Sequence, residues 1–149
     1  MSGKFQIWNN SSYGQGELKG ILGYVHGKTL DNGNSLYHLM PLNARWSLEQ
    51  QLSAWTNALE LQLVARKTEV DPLREEPQTP GYALVNLRTG YEWRNLRIDA
   101  GITNLCNRFY FLPLGGVNYD NFLATGAAGK IGPLAGTGRS VNAGITYRF

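Results

Sequence analysis

From Arg139 to Phe149 the chain alternates side by side: Val141, Ala143, Ile145, Tyr147 and Phe149 fall on one face of an extended backbone, and Asn142, Gly144, Thr146 and Arg148 on the other. Leu96 to Asn104 repeats the pattern, with Leu96, Ile98, Ala100 and Ile102 against Arg97, Asp99, Gly101 and Thr103. Tyr82 to Trp93 groups Ala83, Val85, Leu87, Thr89, Tyr91 and Trp93 against Asn86, Arg88, Gly90 and Glu92. Only Arg94-Asn95 separates these last two segments, which predicts a hairpin.

Upstream, Asn57, Leu59, Leu61, Leu63 and Ala65 alternate with Glu60, Gln62 and Arg66, with Val64 as an exception. Ala44, Trp46, Leu48, Gln50 and Leu52 alternate with Arg45, Ser47, Glu49, Gln51 and Ser53. A helix over Ala44 to Arg66 competes, because Leu and Glu are good helix formers and Leu48, Leu52 and Leu59 could share a face. Polar residues at Glu49, Gln51, Glu60 and Gln62 fit a period of two better, so the expectation is two strands with a tight turn near Ala54. Glu17 to Gly27 reads as a strand of ambiguous register, and Lys4 to Asn9 as another carrying Phe5 and Ile7 on one face, followed by the turn-rich Asn10 to Gln15. The sum is about seven strands, all compatible with antiparallel neighbours.

The connections alternate in length. Backwards from Phe149 they run long (106–138), short (94–95), long (68–80), short (near 54), long (28–43) and short (10–15). In an up-and-down sheet alternate connections share an end, so the long ones gather at one rim and the short ones at the other. Outer-membrane barrels divide their loops in this way. Trp8, Trp55, Trp93, Tyr147 and Phe149 would then sit near the short-turn rim, where an aromatic ring buries its body among acyl chains and keeps a polar edge near head groups. The expected fold class is therefore all-β: an antiparallel transmembrane β-barrel segment of about seven up-and-down strands. A soluble antiparallel sheet with one buried face produces the same alternation.

Composition narrows the classes. Fourteen Lys+Arg against 11 Asp+Glu give a net charge of +3, scattered rather than grouped, so no nucleic-acid partner is expected. One Cys excludes an intramolecular disulfide framework. Every 18-residue stretch contains a charge, so no transmembrane helix is expected, whereas membrane-crossing strands need only about ten residues each. Met1 to Asn10 contains no apolar h-region, and no secretory signal is expected there.

An ordered set of motifs adds a resemblance. Thr79-Pro-Gly-Tyr82 with Val85-Asn-Leu-Arg88, Asp99-Ala-Gly-Ile-Thr-Asn-Leu105 with Phe109-Tyr110, and Gly138-Arg139 leading to Tyr147-Arg-Phe149 resemble the C-terminal end of a TonB-dependent outer-membrane receptor. The likeness extends from about Glu17 to the last residue. Where the family usually follows Asn-Leu with an aromatic and an acidic residue, this chain has Cys106 and Asn107. Such receptors are plugged 22-stranded barrels of the Gram-negative outer membrane that import scarce metals or their chelates. The resemblance implies that residues 1–149 are the C-terminal part of such a barrel, with the plug and most of the wall absent. Its partners would be outer-membrane lipid, the remaining barrel and plug, and the TonB complex acting through that plug. No cofactor is expected to be permanently bound, a transported metal or chelate being the cargo. An open sheet edge cannot face hydrocarbon, so seven strands alone cannot span a bilayer. The other classes are a self-contained small barrel, an adhesin or structural protein using an eighth strand from residues 106–138, and a soluble β-sheet binding module.

The charged residues expected on the lumen face are Arg45, Glu49, Glu60, Arg66, Arg88, Glu92, Arg97, Asp99 and Arg148. Charges inside a barrel need partners, so these should bond across strands and hold the plug. Metal-ligand character beyond carboxylates rests with His26, His38, Met40 and Cys106, all at or beyond strand ends on the long-loop side, and His38 and Met40 are the candidate metal ligands. Soft thioether and imidazole groups suit copper, and Pro113 to Val117 and Gly132 to Gly136 loosely resemble copper-type receptors. The last loop carries Phe109, Tyr110, Phe111, Tyr119 and Phe122 among many glycines. Gly126-Ala-Ala-Gly-Lys130 lacks the spacing of a phosphate loop. Neither a triad nor a carboxylate pair is set on one rigid element, so no enzymatic activity is expected.

Overall fold

The computed structural model describes residues 1–10, 12–30, 35–116, 123 and 132–149. Seven strands form one sheet: β1 (Ser2–Asn10), β2 (Gly14–Gly23), β3 (Asn43–Leu52), β4 (Trp55–Val64), β5 (Tyr82–Trp93), β6 (Leu96–Thr103) and β7 (Ser140–Tyr147). Each strand pairs antiparallel with its neighbour in sequence, in the order β1 to β7. A single 3₁₀ turn, Pro72–Arg74, interrupts the long β4–β5 connection. Ser53-Ala54 joins β3 to β4 and Arg94-Asn95 joins β5 to β6, and both turns begin in the left-handed region, at φ 52° for Ser53 and for Arg94. The short connections share one rim and the long ones the other, as the alternation in connection length requires.

Register converts the alternating strands into two continuous faces. On one face Leu22, Ala44, Leu63 and Ala83 align, then Leu18, Leu48, Leu59, Leu87, Ile102 and Val141. On the other, Glu49, Ala58, Arg88, Gly101 and Asn142 align. The expected ambiguity at Glu17 to Gly27 disappears: Leu18, Gly20 and Leu22 stand opposite Leu48, Trp46 and Ala44, and the strand stops at Gly23. Ala65 and Arg66 lie beyond the end of β4, and Arg148 and Phe149 beyond the end of β7.

One expectation needs correcting. Simple alternation groups Phe5 with Ile7, but the β1–β2 register shifts between Gln6 and Trp8, so Trp8, opposite Gly16, rejoins the apolar row begun by Gly3 and Phe5. A bulge inserts one residue and so exchanges the faces of all that follow it. Gly16 is required there, because a Cβ on it would coincide with the Trp8 indole.

A water-excluding interior is almost absent. Among the described residues the buried hydrophobic side chains are Leu39, Val64 and Leu84, whereas Val141, Ile145 and Phe5 are 75%, 74% and 66% exposed. Burial of apolar area is the main favourable term in folding in water, and here the apolar face of the sheet has nothing packed on it. The little core there is lies at the long-loop rim. Val64, the exception in the alternation, falls on the polar face at this rim beneath the loops, where it is 4% exposed. No helix is long and apolar enough to cross a membrane, a statement that does not bear on membrane-crossing strands.

Candidate functional site

Three surfaces carry the chemistry: the polar face, the aromatic edge at the short turns, and the loop rim. On the polar face the strands place five cations and five carboxylates, and register sorts them into pairs. Lys4 meets Glu17 at 2.9 Å, and Lys19 bridges to Glu49 at 2.5 Å and to Glu17 at 3.8 Å. Arg45 reaches Glu60 at 3.7 Å, and Asn86 donates to the same carboxylate at 2.9 Å. Arg97 holds both Glu92 and Asp99, each at 2.9 Å. The expected residues Arg45, Glu49, Glu60, Glu92, Arg97 and Asp99 thus belong to a lattice of cross-strand and same-strand ion pairs. Lys4, Glu17 and Lys19 complete that lattice, and their shared parity in β1 and β2 was the signal that could have identified them. Arg88 stands on the same face without such a partner, lining a hollow of about 340 Å³ with Glu49, Arg97, Asp99 and Asn142. Arg66 instead lies in the β4–β5 loop, 3.5 Å from the Gln78 side-chain oxygen. Arg148 continues the ladder past β7 through its backbone N–H, which donates to the Asn95 carbonyl at 2.9 Å.

At the short-turn rim Trp55 packs on Tyr91 with ring centres 4.7 Å apart, and Tyr147 meets Phe149 edge-on at 5.2 Å. The Arg94 guanidinium lies 5.8 Å from the Trp93 ring centre. Trp55, Trp93 and Tyr147 are 47%, 58% and 58% exposed, so these rings project from the apolar face instead of filling a core. Trp8 lies against Gly16, two residue pairs from the β1–β2 turn.

The loop rim is organised by side chains that carry no periodic signal. Lys67 is 1% exposed, and its ammonium donates to Glu76 Oε1 at 2.6 Å and to the Pro113 carbonyl at 2.9 Å. Glu76 in turn accepts the backbone N–H groups of His38 and Asp71, each at 3.0 Å. One buried ion pair therefore ties the β2–β3, β4–β5 and β6–β7 connections together. Burial acts to raise the Glu76 carboxyl pKa, but the Lys67 side chain and the Asp71 and His38 N–H groups outweigh it, and the pKa falls below the ordinary value. Alongside, Asn104 is 3% exposed at φ 50°, and its backbone N–H donates to Asn86 Oδ1 at 2.9 Å. Its side chain accepts from the Arg108 N–H at 2.8 Å and donates to the carbonyls of Arg108 (2.8 Å) and Thr137 (3.2 Å). Asn107, standing where the resembled family carries an acid, still accepts through Oδ1 from the Arg139 N–H at 3.0 Å.

The soft-ligand candidates are scattered along this rim. The His38 ring stacks on Tyr37 at 3.9 Å and borders a hollow of about 150 Å³ with Arg74, Glu76 and Pro113. Met40 borders a different hollow of about 150 Å³, with Tyr24, Ala65 and Glu69. The buried Leu39 separates them in sequence, and the fold does not bring His38 and Met40 onto one site. His26 pairs with Glu69 at 3.0 Å, and Cys106 is exposed. Among the described residues no three His, Cys, Asp or Glu side chains are grouped to hold a metal ion. In the last loop Phe109 and Phe111 pack edge-on at 5.1 Å, and Tyr110 packs on Tyr82 at 4.5 Å. Val117, Tyr119, Phe122 and Gly126 to Lys130 lie outside the described residues.

Known proteins place this geometry. No family model matches the chain, and no curated protein matches it. Among solved structures, copper transporter OprC superimposes with a TM-score of 0.83 at 20% sequence identity, over 99% of this chain. The sheet has the fold of an outer-membrane barrel wall. The match occupies 22% of the transporter chain, so these 149 residues span about a fifth of that protein's length.

Proposed function

We propose that the chain is the last part of the wall of a TonB-dependent outer-membrane receptor that imports a metal ion or a metal chelate and catalyses no reaction. The observation that carries this reading is the division of one sheet into an unpacked apolar face and a face of paired charges. Hydrocarbon covers the first face without loss, since lipid tails are as apolar as the side chains that meet them. The second face lines an interior in which every strand charge except Arg88 has its counterpart. The aromatic edge lies where head groups begin, and the loop rim faces the outside, where cargo arrives. The superposition on a copper transporter supports a metal as cargo. Plug, remaining wall and contact with the TonB complex would be supplied by polypeptide beyond these residues.

The deciding experiment determines the mass of the native product in an outer-membrane preparation and tests metal uptake by cells lacking it. A mass several times 16.6 kDa and loss of uptake are expected. A product of 16.6 kDa, or unaltered uptake of every metal tried, would sink the reading. Spin labels at Ile145 and Thr146 check the faces directly, the first being relaxed by lipid-soluble oxygen and the second by a water-soluble nickel chelate.

A further inference from the structure

In all but one of the ion pairs among the described residues, a carboxylate meets an ammonium or a guanidinium. The exception is Glu69, whose two carboxylate oxygens stand 3.0 and 3.2 Å from His26 Nδ1. An imidazole differs from the other cations in its chemistry, because in its neutral form a ring nitrogen is a metal ligand. His26 belongs to the β2–β3 connection and Glu69 to the β4–β5 connection, 43 positions later, so the fold and not the sequence makes this contact.

Both partners stand on braced backbone. The Leu36 N–H donates to the Gly27 carbonyl at 3.1 Å and Lys28 bridges to Ser35, so the chain folds back on itself directly after His26. At the neighbouring strand ends the Ala65 N–H donates to the Leu42 carbonyl at 2.8 Å, and Lys67 bridges to Thr79 two residues before Glu69. The Tyr24 and His26 rings lie parallel to within 7°, with centres 6.5 Å apart. Tyr24, Glu69 and Met40 border one hollow of about 150 Å³, which brings a thioether to the same edge of the rim as the carboxylate and the imidazole. Of the two cations beside that hollow, Lys67 is held by Glu76, and Arg66 lies 3.5 Å from Gln78 Oε1. The His26 and Glu69 side chains are 45% and 43% exposed, so a solute reaches them from outside.

We propose that His26, Glu69 and Met40 form a binding site for a late first-row divalent metal ion, copper(II) foremost, on the loop rim. Nitrogen and oxygen donors sit roughly 2.0–2.2 Å from such an ion, which sets two of them roughly 3 Å apart at a coordination angle near 90–100°. His26 Nδ1 and Glu69 already have that separation, so the ion enters by rotation of side chains alone and leaves the ring proton on Nε2. Met40 adds a soft donor from the hollow, and water completes the set. Magnesium and calcium take oxygen ligands and do not suit an imidazole and a thioether, and affinity along the divalent first-row series peaks at copper. Two firm donors and one weak one make an exchangeable site, fitted to capture and release. His38 borders the other hollow and takes no part. The outward position of the site rests on the receptor reading, in which this rim meets a metal before the lumen does.

The test titrates copper(II) into the native product purified from outer membranes, counts bound equivalents by equilibrium dialysis and reads nitrogen coupling by electron paramagnetic resonance. Comparison with wild type isolates this site from any other copper bound by the same protein. His26→Ala is expected to lose one copper equivalent together with the coupling of one imidazole nitrogen. Glu69→Gln should weaken that equivalent at least about tenfold, Met40→Leu should weaken it less, and His38→Ala should leave it unchanged. Heat-modifiable gel migration identifies variants that have folded. Folded His26→Ala and Glu69→Gln proteins that bind copper as wild type does would overturn the site, as would an equivalent lost in His38→Ala and kept in His26→Ala. Either result leaves the receptor reading standing, since product mass and metal uptake are measured without reference to these residues. Unaltered uptake in cells lacking the product would sink that reading and leave the copper equivalent at His26 in place.

Discussion

The polar face and the loop rim both depend on ion pairs, yet the pairs are of different kinds. Lys19 and Glu49 remain 40% and 34% exposed at the side chain, so water shares the stabilisation of each charge. Lys67 and Glu76 are 1% and 4% exposed and rely wholly on each other, on two backbone N–H groups and on one carbonyl. The first kind adjusts a surface that β-pairing already holds. The second supplements the small hydrophobic core of the rim, because three connections with little apolar cover converge on one satisfied network. A polar network of this sort is worth much when complete and costs most when one member is removed.

Removing Glu76 should therefore have the largest effect. Glu76→Ala leaves a buried ammonium with only a carbonyl, and about 3–5 kcal/mol of local stability should be lost, read as faster hydrogen exchange and proteolysis across residues 65–81. The double change Lys67→Met with Glu76→Gln should cost less than Glu76→Ala, since no unpaired charge remains. Asn104→Ala strips the β6 end of its side-chain contacts to Arg108 and Thr137, and about 1–3 kcal/mol should be lost, confined to the ends of the β6–β7 connection. Acid should reproduce a weaker form of the Glu76 change. The folded pKa of Glu76 lies below its unfolded value, so its contribution is present at neutral pH and is lost as pH falls through the folded value. Exchange at residues 65–81 should accelerate below the ordinary carboxylate range, and equal acceleration on β3 and β4 would erase the distinction between rim and wall. Lys19→Ala should have the smallest effect, about 0.2–1 kcal/mol and reduced by salt, measured by exchange in β2 and β3.

The same contrast explains what the amino-acid order reveals. In β3 to β7 each residue's face follows from position parity, and Arg94-Asn95 marks its own turn, so strands, pairing order and most of the charge lattice could be read directly. Parity failed at Ile7, where a bulge exchanges faces without any change of composition. It marked Val64 as an exception without giving its burial, which depends on loops folding back over the strand end. Lys67 and Glu76 were invisible for a related reason. They sit nine positions apart in a loop without periodic pattern, and what makes them central is the Pro113 carbonyl and the His38 N–H arriving from distant connections. His38 and Met40 share soft-ligand character and a place on the long-loop side, but at φ 59° His38 turns left-handed and the two border separate hollows.

Seven is an odd count, and in a sheet whose neighbours all run oppositely it leaves both outermost strands pointing the same way. Joining β7 back to β1, or to β1 of another copy inserted in the same sense, would create a parallel seam in an otherwise antiparallel wall. A ring with uniform seams needs a complement whose first and last strands both run opposite to β1 and β7, which means an odd number of them. Parity thus restricts what can complete this sheet before any contact between the parts is considered.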